Sequence, residues 1–419
     1  MTRELLNQCA DRSRSQRRIT SILLVLIFLL FASQSKVTMT NIQASDFPQA
    51  SVLATTNWEI ETVDSGTEVG VYASLALDGN GYPHIAYVNG GSDPDSVMDD
   101  SLSYAYKDAG GWHTQSVPLG LVEDEYAYGE TSIALDQDGY AHISFQLYDI
   151  YDYSPVTYGW FLAYAYQDNG GWHVDENVDQ VYLILHTSLA LDGGDPHIGY
   201  FSVDDYHLHY AYKDGGGWHT EIADDEGGVG SYASLALDGD DNPHIAYARD
   251  KTGADDLKFA YEDDAGWHPD TVDSAGDVGK WASLALDGSG YAHISYCDDT
   301  NTDDLVLKYT YQDGVGWHKE TVDEVGSVGK HTSLGLDGRG RAHISYSDDG
   351  NQDLKYAYRD NTGWHIEAVD DTGAVGKYTS LAVDSRGGVH IAYYDETNGA
   401  LKYAHLPVHL IYLPLVVKQ

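Results

Sequence analysis

The sequence predicts an all-β fold: a single seven-bladed β-propeller of four-stranded antiparallel blades, closed by the N-terminal strand completing the last blade. Three observations predict it. One unit recurs seven times, about every fifty residues. Each unit holds four short runs of alternating polarity, the period of half-exposed strands. The array is also out of phase at its ends, opening on one lone strand and finishing one strand short.

The unit reads S-L-A-L-D, a short turn, H-I-x-Y, a loop, L-x-Y-A-Y, a turn, then G-W-H-x-E-x-V-D. Its H-I pair occurs at His84, His142, His197, His244, His293, His343 and His390. Its tryptophan occurs at Trp58, Trp112, Trp172, Trp218, Trp267, Trp317 and Trp364, the same count. Four strands in a repeat of about fifty residues make a propeller blade. The first recognisable strand, Trp58 to Val63, is of the tryptophan type, whereas the last repeat ends at Leu401 to Ala404 without one. Pairing these two closes the ring and removes the edges an open array would expose. The blade then runs outward from S-L-A-L-D to the tryptophan strand. Small residues therefore fall at the crowded axis and bulky ones at the rim, and the longest regular connection, V-D-x-x-G-x-V-G, spans rim to axis.

The remaining segments are expected to be an export signal at 1–35, a linker at 36–57, the propeller at 58–406 and a tail at 407–419. Arg3, Arg12, Arg14, Arg17 and Arg18 precede an apolar run from Ile22 to Ala32, shorter than the roughly 20 residues of a permanent span. A secreted or cell-surface protein is expected, with no membrane span after signal cleavage. The chain of 419 residues carries 23 Lys plus Arg against 66 Asp plus Glu, a net charge of −43. Loss of residues 1–35, with five arginines, leaves the rest more acidic still. Nucleic acid and anionic lipid are poor partners for such a surface. Cys297 is the one cysteine outside the signal region, so no intrachain disulfide holds the fold.

Residues repeated in every blade are explained first by packing. The H-I histidines are expected to hydrogen-bond within their blades, and the aspartates from Asp78 to Asp384 that precede Gly-containing turns are expected to be turn formers. No metal is assigned and no cofactor is expected, with calcium considered at Asp298-Asp299, Asp348-Asp349 and Asp370-Asp371 against a plain solvated acidic face.

Antiparallel order puts the loops after the second and fourth strands on one face, and the variable loops all fall there. Two residues before the inner-strand serine or its equivalent, the blades offer Tyr72, Glu130, His186, Tyr232, Trp281, His331 and Tyr378, a candidate ligand-binding ring around the axis. Lys280, Lys330 and Lys377 stand beside it, and Arg249, Asp298, Asp348 and Asp395 just past the second strand, either for binding or for pairing within their blades. Insertions at Asn89 to Asp100 and Gln146 to Trp160 break the pattern in the first two blades; the second adds Tyr153 and Trp160 to the candidates.

The turn Lys213-Asp214-Gly215-Gly216-Gly217-Trp218 resembles a degenerate Asp box of the sialidase-like propellers, one residue shorter between Asp and Trp, and sits in the same hairpin. The repeat is also similar to the seven-bladed bacterial lectins. These resemblances imply the fold and an extracellular glycan or surface protein as partner. The expected function is a noncatalytic, lectin-like, carbohydrate-binding propeller. The alternatives are a polysaccharide hydrolase or lyase, with Glu130, His186, His331 and the ring tyrosines as acid-base groups, and a protein-binding surface scaffold. Sialidase chemistry needs an arginine cluster, and beyond the signal region only Arg249, Arg339, Arg341, Arg359 and Arg386 occur.

Overall fold

A computed structural model describes residues 58–407 except 91–100, 121–124, 154–155, 177, 180–182, 251–253 and 302–303, and leaves out the side chains of 125, 128 and 149–158. The expected signal, the linker, nearly all of the tail and most of the first insertion lie outside the described residues.

Twenty-eight strands form seven four-stranded antiparallel sheets, with no helix among the described residues. Blades 1 to 6 span residues 69–116, 125–175, 184–224, 229–273, 278–323 and 328–370. Blade 7 consists of Val375–Val383, Val389–Asp395 and Ala400–Leu406, completed by the first strand of the chain, Glu59–Ser65. That strand pairs antiparallel with Ala400–Leu406, Ile60 facing Ala404 and Glu61 facing Tyr403. The ring is closed as the phase of the repeats predicts.

Each letter of the repeat has a partner, and three belts join neighbouring blades. At the axis, the S-L-A-L-D serine accepts a hydrogen bond from a backbone N–H of the next inner strand. Ser74 accepts from Ile133, Ser283 from Leu334, and so on round to Ser380, which accepts from Leu75, all at 2.9 to 3.1 Å. A small side chain with one hydroxyl is what lets these strands converge while their N–H groups stay satisfied.

At mid-blade, the H-I-x-Y tyrosine donates to the V-D aspartate of the preceding blade, as in Tyr247 to Asp224 at 2.6 Å and Tyr393 to Asp370 at 2.7 Å. At the rim, every tryptophan packs edge-on against an aromatic ring of the preceding blade, with centroids 5.1 to 5.4 Å apart. Five of them also donate Nε1 to a carboxylate there, such as Trp112 to Glu61 at 2.9 Å and Trp364 to Glu320 at 2.9 Å. The tryptophans are therefore blade joints.

The H-I histidines bond within their blades. Nδ1 meets the first tyrosine hydroxyl of L-x-Y-A-Y in six blades, at 2.5 Å for His84–Tyr104, His293–Tyr309, His343–Tyr356 and His390–Tyr403. The other two pairs are His142–Tyr164 and His197–Tyr210. Blade 4 has Phe259 in the tyrosine's place, and His244 Nδ1 is buried without a partner. The W-H histidines meet the turn aspartate at 2.8 to 3.1 Å. That aspartate also accepts the N–H two residues on, as Asp214 does from Gly216 at 2.7 Å. Asp214 is held below the usual carboxylate range, chiefly by His219 and then by that N–H.

Candidate functional site

The axial well is built by one recurring distortion of the inner strand. In blade 5, Val278–Leu286 pairs with Ala292–Asp298, and the register slips on either side of Lys280. Gly279 starts the bulge at φ +101°, where a Cβ would lie 2.8 Å from Leu257 Cα of the preceding blade. Only glycine tolerates both that conformation and that approach. The chain then turns left-handed at Trp281, φ 52°.

The same left-handed residue occurs at Tyr72, His186, Tyr232, His331 and Tyr378, with φ between 50° and 57°. Such a conformation costs a bulky residue on the order of 1 kcal/mol or more. Six blades therefore hold a strained residue at one level, each aimed at the axis. Blade 2 differs: Gly129 takes the positive φ, 74°, and Glu130 follows it.

All seven residues of the expected ring line one cavity of about 160 Å³, over a floor made by Thr131, Thr187, Thr332, Thr379 and three alanines. The floor hydroxyls are engaged, Thr187 with Ser144 at 2.8 Å and Thr379 with Ser345 at 2.7 Å. Above them the rings touch in sequence. Centroid separations are 4.4 Å for Tyr72–Tyr378, 4.7 Å for Tyr378–His331, 5.8 Å for His331–Trp281, 5.2 Å for Trp281–Tyr232 and 4.4 Å for Tyr232–His186.

Glu130 completes the ring and is its one acid. Both of its carboxylate oxygens lie 3.0 Å from His186 Nδ1. Burial opposes the charge on each partner, but their mutual attraction outweighs it, raising His186 and lowering Glu130. The attraction favours the charged form of both at the mouth of the well, where the Glu130 side chain keeps 36% of its surface exposed. His331 is the opposite case, since burial lowers it to about 4 and leaves a neutral imidazole at neutral pH. Tyr232 is pushed up to about 12 by burial and stays a hydroxyl donor.

The charges around the ring pair within the scaffold. Lys280 meets Asp299 at 2.8 Å, Lys330 meets Asp349 at 2.6 Å and Lys377 meets Glu396 at 2.8 Å. Asp298, Asp348 and Asp395, one position earlier, face Lys308, Lys355 and Lys402 at 3.6, 2.9 and 3.4 Å. Arg249 pairs with Glu226 at 2.5 Å. The acidic pairs considered for calcium are thus largely occupied by lysines, and Asp370 takes the Tyr393 hydroxyl. The turn aspartates bind backbone, Asp78 accepting from Asn80 and Tyr82 at 2.9 and 2.8 Å.

One expected residue does not join the ring. Trp160 packs on Tyr148, with centroids 5.3 Å apart, in the long hairpin of blade 2 and is not in the well lining. The side chain of Tyr153 lies outside the described residues. Arg339, Arg341 and Arg359 gather on the opposite, short-turn side. There Arg341 pairs with Asp337 and Arg359 with Glu320, each at 2.6 Å. The well has no arginine among its described lining residues. The threonine floor was missed from sequence, although the residue after each ring position is small throughout and could have shown it.

No protein family's sequence model matches the chain, and no curated protein is similar to it at a significant level. Solved structures are similar in fold. A protein of unknown function from Dyadobacter fermentans superposes with a TM-score of 0.55 at 11% identity, covering 84% of this chain and 98% of its own. A polysaccharide lyase, an ulvan lyase bound to a GlcA(1-4)Rha3S unit, gives 0.55 at 14% identity over 82% of this chain and 95% of its own. The NanB sialidase of Streptococcus pneumoniae gives 0.45 at 12% identity over 83% and 70%. At these identities the likeness bears on the fold alone: the chain is a seven-bladed β-propeller, and the ulvan lyase superposes on that architecture.

Proposed function

We propose that the chain is an exported, noncatalytic carbohydrate-binding propeller that takes a single sugar unit into its axial well. The observation that carries this reading is the ring itself: six aromatic or imidazole faces, two of them the Tyr72–Tyr378 pair, held in a left-handed backbone conformation around a cavity of about 160 Å³. Apolar sugar faces stack on such rings, while hydroxyls are met by the Glu130 carboxylate and the tyrosine hydroxyls. The volume lies below the roughly 300–1,000 Å³ of pockets for drug-sized ligands, which suits a terminal residue of a glycan better than an internal stretch. The ulvan lyase of similar fold, bound to its uronic acid–rhamnose unit, supports carbohydrate as the ligand class.

The test is a glycan array with residues 58–407, followed by titration of any hit against Trp281→Ala. Binding lost in the variant with the melting temperature unchanged supports the reading. An empty array, or a hit that the variant binds equally well, refutes it.

A second reading rests on a specific observation, the Glu130–His186 ion pair beside the neutral imidazole of His331. That set provides a proton donor and a proton acceptor in one well, as polysaccharide hydrolysis or β-elimination requires. Release of reducing ends or unsaturated products from a polysaccharide, abolished by Glu130→Gln, would establish it in place of simple binding.

A further inference from the structure

The seven-fold repeat supplies an internal control: what every blade has is scaffold, and what a single blade has needs another reason. Blade 3 has such a feature where the loop after Asp195–Ser202 enters the next strand, His207–Asp214. His207 and His209, two residues apart, lie on one side of that strand, and Asp205 precedes them. Their ligating atoms all lie within 4.8 Å of one another.

The pairing register shows what His209 replaces. It faces Tyr200, and the residues facing the same tyrosine in blades 4 to 7 are Lys258, Lys308, Lys355 and Lys402. In blade 4 that lysine reaches Asp224 of the preceding blade at 2.5 Å, and in blade 6 it sits between Asp323 at 3.1 Å and Asp348 at 2.9 Å. The position is a cation site between carboxylates. In blade 3 no ammonium is supplied there. His209, only 8% exposed, turns Nδ1 toward Asp179 at 3.7 Å and Nε2 toward Asp205 at 2.9 Å.

We propose that blade 3 binds a zinc-class divalent transition metal through Asp205, His207 and His209, the ion standing where blades 4 to 7 place a lysine. Three observations carry it beyond proximity. A tetrahedral zinc with bonds of about 2.0–2.1 Å has ligand–ligand edges of about 3.3 Å. Asp205 Oδ2 lies 3.3 Å from His207 Nδ1 and 2.9 Å from His209 Nε2, two edges close to that length. His207 Nδ1 is buried and has no hydrogen-bond partner among the described residues. Behind His209, Asp179 faces Nδ1 at 3.7 Å, on the side from which a carboxylate orients a metal-bound imidazole, and the Tyr200 hydroxyl donates to it. The Asp179 and Asp205 carboxylates together carry the charge that one divalent ion compensates. Two nitrogens and one carboxylate select zinc over calcium or magnesium. Three protein ligands leave a coordination position for water or a ligand, on the same face as the axial well.

The experiment uses untagged full-length protein stripped with a chelator and titrated calorimetrically with Zn²⁺ alone. One ion per chain is expected, with a raised melting temperature, and the visible spectrum of a Co²⁺-loaded sample should show tetrahedral coordination. Asp179→Asn is expected to weaken binding about 10–100-fold. His209→Lys copies the scaffold of blade 4, so it should fold, melt like the metal-free wild type and bind no ion. No stoichiometric uptake by the wild type, uptake undiminished in folded His209→Lys, or equal preference for Ca²⁺ would overturn the proposal. The proposal is independent of the axial well, and Trp281→Ala should take up zinc as the wild type does.

Discussion

Blade 4 carries the one imperfect copy of the histidine–tyrosine bond, and restoring it should stabilise the whole ring. His244 Nε2 lies 3.4 Å from the Asp238 carboxylate, which leaves Nδ1 as a buried acceptor with nothing to accept. Phe259 stands where six blades have a tyrosine, with its centroid 5.7 Å from the imidazole against 5.8 to 6.0 Å in the others. Its rim neighbour Trp317 packs on it at 5.3 Å, as the other tryptophans pack on tyrosine. The hydroxyl added by Phe259→Tyr therefore has both room and a waiting acceptor. A net hydrogen bond contributes about 1 kcal/mol, whereas stranding a buried group costs about 1–3 kcal/mol. Phe259→Tyr should stabilise by about 1 kcal/mol, and Tyr309→Phe, which strands His293, should destabilise by about 1–3 kcal/mol. With an unfolding entropy of about 2.1 cal/mol/K per residue over about 350 residues, each kcal/mol moves the melting temperature by about 1.4 °C. Denaturant midpoints resolve that difference better, and at unchanged slope they report stability alone. A neutral or destabilising Phe259→Tyr together with a neutral Tyr309→Phe would refute the role given to these histidines.

Three further outcomes are expected. Burial lowers all seven H-I histidines, His343 and His390 to about 4. The folded state then binds fewer protons than the unfolded chain, so this stability is complete above about pH 6.5 and is lost as pH falls toward 4. The fall from 6.5 to about 4 corresponds to about 3 kcal/mol for each of His343 and His390, and denaturation midpoints that stay flat from pH 7 to 4.5 would contradict it. Deleting residues 58–65 leaves Ala400–Leu406 as an open edge and removes the Trp58 joint to Tyr356. Size-exclusion chromatography should show aggregation or loss of folded protein, while deleting 408–419 should leave a monodisperse ring. Ser283→Ala strands the Leu334 N–H and should cost about 1–3 kcal/mol by chemical denaturation, whereas Ser289→Ala in an exposed turn should cost nothing measurable.

Most of the architecture was legible because a propeller repeats its constraints. Serine at the axis, tyrosine and aspartate at mid-blade and tryptophan at the rim each recur because every blade meets the same neighbour. The lone strand from Trp58 set the frame, and the frame placed the seven ring positions, all of which line the well. Trp160 shows where this fails: an aromatic insertion without a repeat partner has no address, and the structure lays it on Tyr148 instead.

By itself the sequence determined the number of blades, their strand order, the closure of the ring and the level at which the axis is lined, because all of these follow from periodicity and phase. Only the tertiary structure decided which atoms meet. Glu130 and His186 are 56 residues apart and pair only because adjacent blades converge on the axis. The left-handed backbone beneath the ring accompanies a bulge of the inner strand, at which a glycine lies against the preceding blade in blades 1, 4, 5, 6 and 7. The Asp205, His207 and His209 cluster was visible as letters, but its meaning depended on the register that sets His209 where other blades hold a lysine. Contacts between blades come from chain segments that no local pattern links, so packing had to supply them.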